Sequence, residues 1–107
     1  MGRFLDLDPS RAGGLPPTLE VRVGDLLRFH ASGVKVVGGD QAVDVLGAFT
    51  SAVLSTAGTV LAPQGGPNLV VAMAAEPGHA SLDIVTGDPW SPKTQRTQRI
   101  DVVVAAR

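Results

Sequence analysis

Short runs in which apolar and polar residues alternate, cut by a turn signal roughly every ten residues, constrain this chain to β structure. Leu19, Val21 and Val23 alternate with Glu20 and Arg22. Gly24-Asp25 turns the chain, and Leu27, Phe29 and Ala31 then alternate with Arg28 and His30. Val34 to Val37 and Val43 to Val45 read as strands on either side of a Gly38-Gly39-Asp40 turn. Leu69 to Ala75 is a nearly continuous apolar run ending at Pro77-Gly78, as suits a strand covered on both faces or one that meets a partner. His79 to Thr86 and Arg99 to Ala105 close the series, with Ala80, Leu82, Ile84, Ile100, Val102 and Val104 expected inward. Phe4 to Leu7 and Thr59 to Ala62 are short candidates, and Ala48 to Leu54 fits a strand or one to two helical turns. No long stretch has helical periodicity. The pattern predicts an all-β chain, an immunoglobulin-like antiparallel β-sandwich of seven to nine short strands, with an open barrel as the other arrangement.

The 107 residues suffice for one domain, residues 1–107, in which 1–17 supply a short first strand and a turn-rich loop. At 44% hydrophobic residues a packed core is available, but the aromatic set is Phe4, Phe29, Phe49 and Trp90, so Val, Leu, Ile and Ala must fill it. A net charge of −1 argues against nucleic acid and anionic membranes as partners. No apolar run has the length of a membrane span. The start is not that of a signal peptide, because acidic residues precede any apolar stretch. The absence of cysteine excludes disulfides, thiolate zinc sites and cysteine catalysis, and no cofactor is expected.

The Leu19 to Phe29 run resembles the first hairpin of cupredoxins and of chagasin-like inhibitors of papain-type cysteine proteases. A cupredoxin copper site needs a cysteine thiolate beside histidines, and this chain has only His30 and His79. The chagasin-like resemblance returns near the C-terminus. There a strand is followed by Asp88-Pro89-Trp90 and a final strand of alternating valines, similar to that family's Arg-Pro-Trp phrase with Asp88 in place of Arg. Gly65-Gly66 stands where that family has a Gly-rich loop. Its Asn-Pro-Thr-Thr-Gly-Tyr loop has no counterpart between Ala31 and Phe49. The resemblance covers the two ends of the chain. It implies an immunoglobulin-like fold and a contact surface formed by Gly65, Gly66, Pro67, Asp88, Pro89 and Trp90, whose loops lie at one end of the sandwich in that family.

Gly87 to Gln98 reads as one long polar connection carrying the sole tryptophan. Trp90 suits either a displayed anchor for a partner or a cap folded over the sheet edge. Lys93, Arg96 and Arg99 read as a solvated hairpin before they read as an anion site. His30 and His79 belong on outer faces, with no metal set expected. Asp6, Asp8, Asp40 and Asp44 suit turns and solubility, since no calcium-loop spacing is present. No serine has a nucleophile-elbow setting and no glycine motif cradles phosphate, so no catalytic residues are assigned and the chain is not expected to be an enzyme. The function expected is a protein-binding module, inhibitor-like in its use of end loops. The alternative is a structural module forming a homo-oligomer through strand edges, with Leu69 to Ala75 and Val103 as the apolar surfaces in question.

Overall fold

The structure, a computed structural model, describes residues 2–9, 14–39, 41–50, 52–61, 67–87 and 91–106. Ten strands follow in chain order: β1 (Phe4–Leu7), β2 (Thr18–Arg22), β3 (Leu26–Phe29), β4 (Gly33–Gly38), β5 (Val43–Phe49), β6 (Val53–Leu54), β7 (Val60–Leu61), β8 (Leu69–Ala74), β9 (Gly78–Thr86) and β10 (Arg96–Ala105). Eight of them build two four-stranded sheets, ordered β1-β3-β8-β5 and β2-β10-β9-β4, and β6 and β7 form a separate ribbon. This is the all-β sandwich that the alternation predicts. Among the described residues no helix is long and apolar enough to cross a membrane.

The core follows from the period of two. Leu27, Phe29, Val43, Val70, Ala72 and Ala74 bury from the first sheet, and Val21, Ala80, Leu82, Ile84, Ile100, Val102 and Val104 from the second. Leu15, Ala31 and Ala42 close its margins. The Leu69–Ala74 run is β8, hydrogen-bonded to β3 on one side and β5 on the other. It is therefore an interior strand with no open edge, and its outward Leu69, Val71 and Met73 are half-buried.

Two features differ from the alternation. The interior pairs are antiparallel, but β1 runs parallel to β3 and β2 parallel to β10. The stretch between β1 and β2 carries the chain from one sheet to the other, so each of these N-terminal strands extends a different sheet. The last strand also begins earlier than expected, at Arg96 instead of Arg99. Arg96, Thr97 and Gln98 continue the ladder opposite Thr86, Val85 and Ile84, so the polar connection ends at Gln95. Their polarity suggested loop, but cross-strand hydrogen bonding does not require apolar side chains.

The turn between β2 and β3 is hydrogen-bonded to both sheets. The Asp25 amide bonds the Arg22 carbonyl at 3.0 Å, closing a turn over Val23 and Gly24 in which Gly24 takes φ +96°, a conformation that favours glycine. From this turn, Val23 N–H bonds the Ala105 carbonyl of β10 and Gly24 N–H bonds the Ala74 carbonyl of β8. The buried Asp25 carboxylate accepts from the Arg22 amide at 2.9 Å, the Arg3 amide at 2.9 Å and the Arg3 guanidinium at 2.8 Å. Leu26 N–H bonds the Arg3 carbonyl, which sets Phe4 beside Leu26 and with it the parallel register of β1.

Candidate functional site

The end of the sandwich from which the loops emerge is assembled from short corners. Only His30, Ala31 and Ser32 connect β3 to β4, crossing between the sheets. His30 N–H bonds the Leu7 carbonyl at 2.9 Å, and Ser32 bonds the Val85 carbonyl through its amide at 2.9 Å and its hydroxyl at 3.1 Å. Asn68 N–H bonds the Phe49 carbonyl at 2.9 Å and so fixes the entry to β8. At the exit of β9, Gly87 takes φ +100°, and a Cβ there would collide with the Thr94 carbonyl. The returning chain makes one 3-10 turn, Pro92–Thr94, in which Thr94 bonds the Ser91 carbonyl through its amide and its hydroxyl.

Of the six expected contact residues, Pro67 is described. It is half-buried and lines a small recess of about 140 Å3 with His30, Ala31, Ser32, Asn68, Thr86 and Gly87. Gly65, Gly66, Asp88, Pro89 and Trp90 lie outside the described residues. The end of one expected loop, Pro67-Asn68 before β8, and the residues leading into the other, Thr86-Gly87 after β9, thus border one recess.

Beside it lies a groove of about 700 Å3 lined by Asp8, Pro9, Arg28, His30, Asn68, Leu69, Thr86 and Arg96. Its chemistry was not legible as a motif. In β1, Asp6 stands opposite Arg28 in the parallel ladder. The Asp6 carboxylate accepts from Arg28 Nε at 3.0 Å and meets His30 Nε2 at 2.6 Å. The Arg28 guanidinium also lies over the Phe4 ring, 5.2 Å from its centre, a cation–π contact. The Arg28 hydrogen bond first, and the His30 ring after it, hold the Asp6 carboxyl down to about 2. The alternation of Asp6 and Asp8 with Leu5 and Leu7 was the available signal that these acids share a face.

The three basic residues of the C-terminal region do not form a patch. Arg99 is clamped to Asp83 of β9 through two hydrogen bonds, at 2.8 and 3.1 Å, on the outer face of its sheet. Lys93 is exposed in the 3-10 turn, and Arg96 lines the groove. His79 is exposed on β9. Among the described residues no three of His, Cys, Asp and Glu come together as a metal-holding group.

These ion pairs set an acid limit to stability. Arg28 lowers the Asp6 carboxyl, the Arg3 guanidinium and then the Arg22 and Arg3 amides hold the Asp25 carboxyl well below the usual range, and Arg99 lowers Asp83. A carboxyl depressed by folding stabilises the native state above its unfolded pKa, and the contribution vanishes as pH falls through the native value. The denaturant midpoint is therefore expected to hold near neutrality and fall between about pH 4 and the Asp6 value of about 2. Urea titrations followed by circular dichroism across that interval measure it.

The fold and this loop-bearing end define an immunoglobulin-like β-sandwich with two long connections and one short corner at one end. Among solved structures the chain is similar to the cysteine protease inhibitor EhICP2 from Entamoeba histolytica, with a TM-score of 0.55 and 12% identity, covering 98% of this chain and 96% of that one. It is also similar to amebosin in solution, with a TM-score of 0.53 and 15% identity over 97% of this chain and 100% of that one. The likeness is one of fold, and it bears out the sandwich that the two end motifs implied. No family model and no curated protein sequence matches the chain.

Proposed function

We propose that this chain is a protein-binding module that contacts its partner end-on, through the connection leading into β8 and the connection between β9 and β10, in the manner of an inhibitor. The observation that supports this most directly is the recess bordered by both connections, with Pro67, Asn68, Thr86 and Gly87 beside the tight His30–Ser32 corner. Two rigid sheets fix the stems of both loops, so little chain entropy is lost when they meet a partner. Gly65, Gly66, Pro67, Asp88, Pro89 and Trp90 are the proposed contact residues, with Trp90 as the displayed anchor. The similarity to a cysteine protease inhibitor makes papain-type proteases the first partner class to test. The short corner in place of the family's first loop makes this a two-loop mode of contact.

Assembly through strand edges is the weaker reading. Two of the four edge strands, β4 and β5, each carry a register break, between Val36 and Gly38 and between Val45 and Gly47. Such bulges disrupt the regular edge on which a second copy would pair.

The test is titration of papain with the intact chain, followed by residual activity. Trp90→Ala is expected to stay folded and to weaken binding by roughly thirtyfold or more, the effect of removing a hot-spot anchor. Unchanged inhibition by that variant removes Trp90 from the contact surface. No inhibition by the parent chain of any papain-type enzyme removes the inhibitor reading.

A further inference from the structure

The inter-sheet face of β10 changes character along the strand. Val104, Val102 and Ile100 are buried, and the next two residues on that face are Gln98 and Arg96. Opposite them on β9 stand Ile84 and Thr86. The apolar core thus stops at Ile84 and Ile100, and the last layer of the sandwich is polar. Gln98 has a structural task, donating from Nε2 to the Leu15 carbonyl at 2.9 Å. Arg96 makes no ion pair among the described residues, unlike Arg3, Arg28 and Arg99. Arg96 is exposed at the end of this face, so its guanidinium is hydrated and open to an anion. Here it borders the groove of about 700 Å3 together with Thr86, His30, Arg28 and Asn68.

We propose that this groove is a carboxylate-binding site with Arg96 as its anchor. A guanidinium offers a planar fork of N–H donors that matches a carboxylate, and a walled groove strengthens the charge-assisted hydrogen bonds relative to open water. The neighbouring acids are accounted for. Asp6 is held by Arg28 and His30, and Asp8 already has an interaction of its own. Asp8 nevertheless remains a like charge on the rim, so it tempers the affinity. The carboxylate of a protein ligand comes from an acidic side chain or from a chain terminus. That the ligand belongs to the same partner as the loops rests on the proposed end-on function, whereas carboxylate binding by the groove does not.

The experiment is a titration of the intact 15N-labelled chain, read by amide chemical shifts, with three probes at low salt. N-acetylalanine presents a terminal carboxylate, N-acetylglutamate α-amide a side-chain carboxylate, and N-acetylglutamine α-amide neither. Saturable shifts centred on Arg96, Thr86, His30 and Asn68 are expected with a carboxylate probe, the tighter one identifying the source. Arg96→Gln is expected to weaken that binding by roughly tenfold or more, the loss of a charge-assisted contact. Asp8→Asn is expected to tighten it by removing the like charge. Equal shifts with the neutral probe, undiminished binding by Arg96→Gln, or equal shifts at Arg3 and Arg22 around the opposite end would overturn the proposal. Because the probes are not proteases, a chain that fails to inhibit papain can still bind a carboxylate, and the reverse, so the two ideas fail separately.

Discussion

Asp25→Ala is expected to destabilise the chain by about 2–4 kcal/mol, a large share of the total for a domain of this size. The carboxylate is buried, with its side chain 3% exposed, while the Arg3 side chain it holds is 57% exposed. Removing it therefore strands no buried cation. The loss arises from the Arg22 and Arg3 amides, which lose their acceptor, and from the charge-assisted bonds to Arg3. The effect should be cooperative, because this turn also holds β8 through Gly24 and β10 through Val23 and aligns β1 through Arg3. Asp25→Asn keeps an acceptor and should fall between parent and alanine variant. Urea midpoints with unchanged slope report the difference as stability. A loss below about 0.5 kcal/mol, the range of ordinary surface substitutions, would show that the turn closes without its carboxylate.

Phe29→Ala is expected to cost about 3–5 kcal/mol. Phe29 is fully buried and the largest core side chain, paired across the ladder with Val70. The rest of the buried core is valine, leucine, isoleucine and alanine, most of it held in strand register, which limits how far it can collapse into the cavity. The other two phenylalanines provide the contrast. Phe4 is 56% exposed and Phe49 53%, so their alanine variants should change the midpoint far less. Guanidinium chloride denaturation of all three variants compares them directly, and similar losses at Phe29 and Phe49 would contradict the assigned core.

The strands and their inward faces were legible because each is a local matter. Leu82 and Ile84 are buried for the same reason that Ser81 and Asp83 are not, namely that successive side chains leave a strand on opposite sides. The apolar run at Leu69 to Ala74 marked an interior strand because both its faces avoid free exposure. Local polarity misled at Arg96 to Gln98, where strand pairing continues beneath polar side chains. At Gly24-Asp25 the chain signalled a turn, but nothing nearby in sequence revealed that the carboxylate is occupied by Arg3, twenty-two residues away.

The sequence by itself determined that this chain is all β, built of short strands whose inward faces include Phe29, Leu82, Ile84, Ile100 and Val102, with Trp90 on a connection between the last two strands. These properties depend on the period of two and on turn chemistry, which operate over a few residues. Tertiary structure alone decided which strands became neighbours, and the two-sheet order decided for a sandwich over a barrel. The parallel docking of β1 on β3 brought Asp6 to Arg28 and His30, and the convergence of β1, β3, β8, β9 and β10 at one end made a groove around Arg96. Those contacts join residues far apart in the chain through sheet order, and sheet order is set by how the whole apolar surface is buried at once.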